Sequence, residues 1–396
     1  MPDDGESISV KVVARIADVA AAEWDACAGA DNPFLSHAFL KALEDSHCAT
    51  AKTGWQPQHL LVEDAGGRLI GAAPLYLKSH SYGEYVFDHG WAEAYERAGG
   101  RYYPKLQCAV PFTPVPGPRL LVRPPGEPGQ PKGDDIRDAL ASAMAELVRR
   151  HNASSVHITF PTEHEWSRLG ELGYLQRTGV QFHWHNRGYA SFEDFLASLA
   201  SRKRKAIRKE RREALAHGVV IHTLTGEDIK PAHWDAFFRF YIDTSDRKWG
   251  SPYLNRAFFD LLGQWLARRV VLIMVEQDGR WVAGALNLRG ADTLYGRNWG
   301  CLGEFKFLHF ETCYYRAIDF AIEHKLARVE AGAQGPHKLQ RGYLPVATYS
   351  AHWIADPGFR KAVADFLARE RRHMERERVA YAEFAPYRQG RAEPPE

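Results

Sequence analysis

Four short blocks of this sequence occur twice in the same order, and this repeat constrains the fold more than any other feature. The pairs are WDA at 24–26 and 234–236, PFLSHAFLKAL at 33–43 and PYLNRAFFDLL at 252–262, VEDAGGRLIGAAPLYL at 62–77 and VEQDGRWVAGALNL at 275–288, and GYLQRTGVQFHW at 173–184 and GYLPVATYSAHW at 342–353. Collinear self-similarity is the signature of repeated structural units. We therefore predict two copies of one domain, at 8–190 and 191–385.

Each copy shows one order of predicted elements, which is clearest in the second. The segment 269–288 is two apolar runs joined by Asp278-Gly279, a pattern typical of a β-hairpin. A strand at 292–300, a helix at 307–326 with apolar residues at three-to-four spacing, and a short strand at 327–333 follow. This pattern predicts an α/β (α+β) layer domain with a mixed, mostly antiparallel sheet flanked by helices.

This order of elements resembles the GCN5-related N-acyltransferase (GNAT) fold, and its duplication resembles the Fem family of nonribosomal peptidyl transferases. Three motifs are similar to a bacterial family of predicted N-acyltransferases associated with peptidoglycan biosynthesis or recognition: YYPKLQCAVPFTPVPGPRLL at 102–121, FKFLHFETCYYRAIDFAI at 305–322 and EAGAQGPHKLQRGYLP at 330–345. The resemblance covers about 10–385. It implies tandem GNAT-like domains that transfer an acyl or aminoacyl group to an amine of a small-molecule or cell-wall-precursor acceptor.

The donor site is expected at the junction between the 292–300 strand and the helix after it, where GNAT enzymes hold their donor. Gly300 and Gly303 permit close backbone approach there, and Lys306 adds positive charge, so we predict these three as cofactor-binding residues. The usual Q/R-x-x-G-x-G/A pattern is absent. The donor therefore stays open between acyl-CoA, favoured as a co-substrate that is not tightly bound, and aminoacyl-tRNA. The matching region of the first copy is rich in proline, which lacks the N–H donor. The first copy is therefore expected to form only the wall of the substrate cleft.

Candidate catalytic residues cluster in the second copy. The attacking amine must lose a proton, for which histidine or a carboxylate is suited. The predicted catalytic residues are His309, Glu311 and His337, and the predicted substrate-binding residues of the 331–342 loop are Gln334, Lys338 and Arg341. The alternatives are a core or capping role for His309, a solvated loop position for His337, and a helix N-terminal charge for Glu311.

The stretch SRKRKAIRKERR at 201–212 is strongly basic. We predict one long helix from Ser191 to Gly218, in which Arg204, Arg208 and Arg211 form a stripe suited to a phosphorylated ligand. Solvated charge is the alternative for the rest of the run. Lys203 and Glu210 fall on the apolar face of that helix, where each needs a partner.

Several classes of function are disfavoured. With 51 basic and 49 acidic residues the net charge is only +2, which argues against a DNA-binding protein. Five scattered cysteines and the polar start MPDDGESISV favour a cytoplasmic location, and no apolar run is long enough to span a membrane. His183 and His185 lack metal-ligand spacing, so no metal is predicted. A non-catalytic protein that binds a cell-wall precursor or tRNA is the alternative function.

Overall fold

The structure, a computed structural model, describes residues 8–125, 131–247, 250–333 and 335–388. The chain forms two compact units, one of Met1–Gly179 with Thr348–Glu375 and one of Val180–Ala347 with Arg376–Glu396. These units are discontinuous in sequence, whereas the predicted domains 8–190 and 191–385 are continuous. The functional division of the chain stays a prediction. Among the described residues, no helix combines the length and apolar character needed to cross a membrane.

The first half of the chain contains nine strands and five α-helices within its described residues. In chain order they are β1 (Ser9–Val13), α1 (Ala21–Ala28), α2 (His37–Asp45), β2 (Trp55–Pro57), β3 (His59–Glu63), β4 (Leu69–Ala73), β5 (Leu75–Lys78), α3 (His89–Arg97), β6 (Lys105–Cys108), β7 (Leu121–Val122), α4 (Gly133–Arg150), β8 (Ser155–Thr159), α5 (Glu163–Glu171) and β9 (Leu175–His185).

The second half continues the same alternation of helices and strands. Its described elements are α6 (Phe192–Ser198), α7 (Ser201–Leu215), β10 (Val219–Thr225), α8 (Pro231–Arg247), α9 (Arg256–Trp265), β11 (Val270–Gln277), β12 (Arg280–Arg289), β13 (Thr293–Cys301), α10 (Leu308–Phe310), a π-helical turn (Glu311–Tyr315), α11 (Arg316–Glu323), β14 (Arg328–Glu330), a 3-10 helix (Pro336–Arg341), β15 (Leu344–Ile354) and α12 (Pro357–Glu383).

The first unit contains two sheets. A four-stranded antiparallel sheet has the order β1-β3-β4-β7. The other has the order β15-β8-β6-β5-β2, in which β6 and β8 are parallel. The side chains of α4 cover one face of these sheets in a buried apolar core that includes Leu140 and Met144. The mixed sheets flanked by helices confirm the predicted fold class.

The second unit contains one sheet of order β10-β11-β12-β13-β14-β9. Only β13 and β14 are parallel among the pairs within it. The apolar side of α11, with Ile318 and Ala321 fully buried, packs on this sheet beside Val329 of β14. The predicted hairpin and the helix after β13 are therefore both present.

The repeated sequence blocks occupy corresponding elements. The WDA triplets lie in α1 and α8, and the next blocks form α2 and α9, each capped at its N-terminus by a side chain, Ser36 or Asn255. The glycine-containing blocks form antiparallel pairs, β3 with β4 and β11 with β12. The last blocks form β9 and β15, which are both eleven residues long. Equivalent sequence therefore folds into equivalent structure. Superposition of the two copies around a shared cleft stays a prediction.

The predicted single helix over 191–218 is wrong, because two helices occupy this segment. Leu199 and Ala200 are extended between α6 and α7. The amide of Ala200 donates to the carbonyl of Pro386, and Leu199 forms a β-bridge with Tyr387. Buried backbone groups must be hydrogen-bonded, but the partner can lie in the same helix or elsewhere in the fold. Here the segment around Pro386 supplies the partners, so the helix that the local sequence favours is interrupted.

Candidate active site in the second unit

Two parallel strands separate in the second unit and open a space between them. The pairs of β13 with β14 run from Thr293–Arg328 to Tyr295–Glu330, where β14 ends. Strand β13 continues to Cys301 along β12, with a bulge that leaves Arg297 outside the register. Such a divergence exposes strand ends to a ligand, as in other open sheets where ligands bind beyond the carboxyl ends of strands.

A cavity of about 90 Å³ lies at this divergence. Its walls come from β12, β13, the residue after β14, and the helical segment that begins at Leu308, and they include Asn287, Gly296, Trp299 and His309. A side chain at position 296 would meet Ala331 Cα and Glu330 O at 3.4 Å, so glycine keeps this part of the cavity open. The helical segment thus brings side chains over the point where the strands part.

His309 and His337, two of the predicted catalytic residues, lie close together. Their ring centroids are 6.2 Å apart, and His309 also contacts the Trp299 ring at 5.4 Å. The hydroxyl of Tyr314 and Nε2 of His337 form a hydrogen bond of 2.8 Å. Partial burial is the main cause that lowers the pKa of His337, so the neutral ring is favoured. The convergence of these two histidines was expected from their places after neighbouring strands.

Lys338, predicted to bind substrate, is buried. Its Nζ donates to the carbonyl of Gly332 at 2.8 Å. Burial away from water lowers the pKa of Lys338 to about 8, because desolvation penalises the ammonium form. A lysine in this state can act as a proton donor near neutral pH as well as a positive charge. Gln334, the neighbouring predicted residue, lies outside the described residues.

Glu330 is a candidate that the sequence reasoning missed. It is the last residue of β14, is 7% exposed, and has a carboxylate oxygen, Oε2, without a hydrogen-bond partner among the described residues. Desolvation raises the pKa of Glu330 to about 8. Perturbed carboxyl groups of this kind are common at catalytic sites. It is the residue before Ala331, which lines the cavity at the strand divergence.

His183 is the neighbour of Glu330 on the adjacent strand. The two residues are register partners in the β9–β14 pair, and the imidazole Nδ1 lies 3.8 Å from the carboxylate Oε1. Desolvation, with a contribution from the Lys338 charge, moves the pKa of His183 well below its usual value. The contact is therefore between a neutral imidazole and a carboxyl group, and Nε2 of His183 bonds to Gln181 at 3.2 Å.

A signal for this pair was present in the repeats. His183 and His352 hold the same place in the two final blocks, each followed by tryptophan. In the first unit His352 is the register partner of His157 on β8, and their Nδ1 atoms are 2.7 Å apart. Each copy of the block thus places a buried histidine opposite a titratable residue of a neighbouring strand. That residue is Glu330 on β14, which follows α11, or His157 on β8, which follows α4.

Glu311, predicted as a base, is fully buried and paired. It accepts hydrogen bonds from Arg211 at 3.0 Å and from Arg316 at 2.8 Å. The segment Glu311–Tyr315 is a π-helical turn, which holds one residue more than a regular helical turn. Arg316, five residues after Glu311, therefore lies on the same face of the helix as Glu311. Because both carboxylate oxygens are occupied, a structural role explains Glu311 well, and its catalytic role stays a prediction.

Several side chains of the basic helix α7 hold it against its own unit. Arg211 also pairs with Asp319 at 2.6 Å, and Glu210 accepts from Arg341 at 2.9 Å. Lys203 donates to Gln340. The two charges on the apolar face therefore have the partners that burial requires, and both partners belong to the 3-10 helix that carries His337. Helix α7 therefore helps to fix the positions of the 3-10 helix and of the helical segment that carries Glu311.

The other predicted binding residues lie on α7 and around the end of β13. Arg208 is exposed and pairs with Glu193, whereas Arg204 is partly buried near the Leu199 carbonyl at 3.4 Å. At Gly300 a Cβ atom would lie 2.2 Å from the carbonyl oxygen of Phe240, so the close approach that this glycine permits is to α8. Gly303 has a φ of 105°, and Lys306 pairs with Glu213 at 2.9 Å. Binding of a donor by Gly300, Gly303 and Lys306 stays a prediction.

Comparison with known proteins was made on sequence and on structure. Residues 15–389 match the profile of the FemAB-like family, described as peptidoglycan biosynthesis/recognition. The chain belongs to the FemAB-like family. No curated protein matches it.

Solved structures agree with the fold of this FemAB-like protein. The crystal structure of FemX has a TM-score of 0.55 at 12% identity, over 87% of this chain and 98% of FemX. The C-terminal domain (DUF2156) of a protein named as a putative lysylphosphatidylglycerol synthetase from Agrobacterium fabrum has a TM-score of 0.53 at 8% identity, over 88% of this chain and 95% of that domain. A protein of unknown function from Bacteroides thetaiotaomicron has a TM-score of 0.50 at 11% identity, over 87% and 99%. The expected family and Fem-like tandem GNAT fold are confirmed.

The first unit of the FemAB-like chain contains a buried cluster of charged side chains beside β6. Lys105 of β6 is fully buried and donates to Glu84 at 2.7 Å and to Asp88. The Tyr102 hydroxyl donates to Asp88 at 2.6 Å and lies 3.3 Å from His157. The two acids Glu84 and Asp88 thus pair with Lys105, and a second buried lysine, Lys78, lies 3.7 Å from Glu84. Among the described groups of both units, no set of three or more potential ligands could hold a metal ion.

Proposed function

We propose that the second unit of this FemAB-like protein catalyses N-acyl transfer to an amine of a peptidoglycan precursor or related small molecule. Acyl-CoA is the favoured donor, and aminoacyl-tRNA is the alternative. The observation that carries the proposal is the buried pair Glu330–His183 at the end of β14, where β13 diverges. The buried Lys338 lies near enough for its charge to act on His183. Family membership supports the link to peptidoglycan.

The chemistry requires a base for the amine and an acid for the leaving group. The amine nitrogen attacks the acyl carbon, the new C–N bond forms, and the bond from that carbon to the donor sulfur or oxygen breaks. The Glu330 carboxylate takes the proton that the nitrogen loses. A pKa of about 8 suits this step, because a base is most effective when its pKa lies near the working pH.

Lys338 serves the opposite side of the reaction. With a pKa of about 8, its ammonium group can stabilise the oxyanion and supply a proton to the leaving group. His183 positions the Glu330 carboxyl, and His309 and His337, with Trp299 and Tyr314, form the aromatic wall against which the acyl group lies. In this assignment His309 and His337 orient substrate, and either remains the alternative base.

A direct test combines donors and acceptors with the full-length protein. Acetyl-CoA and charged tRNA are each incubated with UDP-linked muropeptides, and acylated product is measured by mass spectrometry. Product that requires Glu330 and Lys338 supports the proposal. Tight binding of a muropeptide without product from either donor would favour the alternative, a non-catalytic binding protein.

A further inference from the structure

A second and much larger concave space lies within the first unit, between α3 and the beginning of α12. Its volume is about 960 Å³, within the range of cavities that hold small molecules. It shares no lining residue with the cavity at the end of β14. The described residues of the proposed transfer site therefore do not account for this space, which we call the α3–α12 groove.

Small residues at helical spacing create the groove. Gly90, Ala94 and Ala98 are four apart along α3 and its end, and Gly358 and Ala362 are four apart on α12. Residues at this spacing share one face of a helix, so both helices present their least bulky side to the same space. The stretch from Gly90 to Ala98 is about 12 Å long at the helical rise of 1.5 Å per residue. The resulting space is long rather than round.

Aromatic rings form the floor and edges of the groove. Trp91 and Phe359 are buried beneath it, and Tyr95 stacks on Phe359 with ring centroids 4.3 Å apart. Phe87 and Phe366 stand at the edges with 56% and 40% of their surface exposed. Exposed aromatic side chains grouped around a concave surface mark a binding site more often than isolated ones do.

The two charged residues of the lining are satisfied within the first unit. Arg177 donates to both carboxylate oxygens of Glu370, at 2.8 and 2.7 Å, and to the Phe87 carbonyl at 2.8 Å. Asp356 accepts from the Phe359 amide at 2.6 Å and so caps α12. Arg177 is therefore neutralised by its ion pair, Asp356 is an exposed carboxylate at the start of α12, and the other lining residues are uncharged, so the interior of the groove favours an uncharged, apolar occupant.

We propose that the α3–α12 groove binds the hydrocarbon chain of a lipid. Length, aromatic walls and a lining that is uncharged apart from Asp356 and the paired Arg177 all suit such a chain, which needs no hydrogen bonds. A peptide in an extended form would bring backbone N–H and C=O groups that this lining cannot pair. The proposal does not depend on acyl transfer, since it concerns binding at a separate set of residues.

The test measures binding of n-decanol and farnesol, a linear and an isoprenoid probe, to the full-length protein by isothermal titration calorimetry. Ala362→Trp and Ala94→Trp each fill the groove from one wall and should weaken binding at least tenfold. Ala368→Trp is the matched control, because Ala368 is an exposed alanine of the same helix outside the groove. Its affinity should equal that of the wild type.

Circular dichroism verifies that each variant folds, and Phe366→Ser provides a third change at an exposed position that should also weaken binding. The preferred probe distinguishes an acyl chain from an isoprenoid chain. The proposal is overturned if the wild type binds neither probe or if the groove variants bind as well as the control. It is also overturned if the groove variants only dissociate a dimer in sedimentation experiments, since the occupant is then a second copy of the chain.

Discussion

Glu330 of β14 faces His183 of β9 across one rung of the sheet, with Oε1 and Nδ1 3.8 Å apart. Burial keeps the imidazole of His183 neutral. The ring therefore restricts the position of the Glu330 carboxyl group but adds no positive charge that would lower its pKa. A carboxyl group paired with a cation has a lowered pKa and is a weak base. Glu330 instead has a raised pKa, and this makes it the strongest candidate for proton transfer in the second unit.

Replacement of Glu330 by glutamine is expected to lower kcat about 10²–10⁴-fold, the usual loss for a general base. Because the pKa values of Glu330 and Lys338 are both about 8, wild-type activity should increase from pH 6 to a maximum near pH 8 as the carboxylate ionises, and should fall at higher pH as the ammonium group loses its proton. The variant should lose this increase. The measurement is a pH–rate profile with the substrate pair found for the wild type.

Glu276→Gln is the control for this change, because Glu276 lies on β11 of the same unit and pairs with His222 at 3.0 Å, away from the cavity. Its activity should stay near that of the wild type. If Glu330→Gln retains normal turnover while His309→Ala or His337→Ala loses it, the proton acceptor is one of the histidines.

Arg211→Met is expected to destabilise the protein by about 3–5 kcal/mol, because it leaves Glu311 as a buried charge with one partner fewer. Arg208→Met is the matched change on the same helix and should have little effect, since Arg208 and Glu193 are both largely exposed. Urea unfolding followed by circular dichroism gives both values. The opposite result is that the two variants are equally stable and lose affinity for a phosphorylated ligand to the same extent. That result would support the prediction that these arginines form a ligand-binding stripe.

Gly300→Ala is expected to destabilise the second unit, because the new Cβ would lie 2.2 Å from the Phe240 carbonyl oxygen and force α8 away from β13. Overpacking of this kind typically costs about 1–3 kcal/mol. Gly250→Ala, where the nearest atom would be 4.0 Å away, should be tolerated. A Gly300→Ala protein with wild-type melting temperature but weaker binding of acyl-CoA would assign this glycine to the donor site.

The first unit should lose stability as pH falls below about 6.5. Desolvation lowers the pKa of His157 to about 3 and that of His352 well below its usual value, whereas both groups titrate near 6.5 when unfolded. The unfolded state therefore binds more protons below pH 6.5, and stability present above that pH is lost as the pH falls toward 3. Each such histidine contributes about 1.4 kcal/mol per pH unit in this window.

His352→Phe removes one of these groups and should make the loss between pH 6 and pH 5 less steep. Burial raises the pKa of Glu84 to about 7, which acts in the opposite direction, but Glu84 is present in both proteins and cancels in the comparison. Urea midpoints at the two pH values give the slopes. Parallel slopes would show that His352 does not stay neutral in the folded state.

The repeats were sufficient to predict the duplicated architecture. Turn residues such as Asp278-Gly279, and apolar spacing in the helix after β13, are local signals that fold in the same way wherever they occur. The loop with His337 and Lys338 was also predictable, because residues after neighbouring strands meet at one edge of a sheet. These features depend on short stretches of chain.

Other features depend on strand pairing and burial, which no short stretch contains. Leu199 and Ala200 have helical neighbours, yet hydrogen bonds to Pro386 and a bridge to Tyr387 end the helix there. Arg211 has the spacing of a ligand-binding arginine, yet its ion pairs with Glu311 and Asp319 hold α7 against the helical segment that follows β13.

Glu330 and His183 show most clearly what each level determined. The sequence alone determined that His183 recurs as His352 in the duplicated block, and it placed Glu330 within a short predicted strand at 327–333. Only the tertiary structure decided that these two residues share a rung of one sheet and that both are removed from water. A pKa depends on solvation and neighbouring charge, and both are properties of the folded surroundings rather than of the residue type.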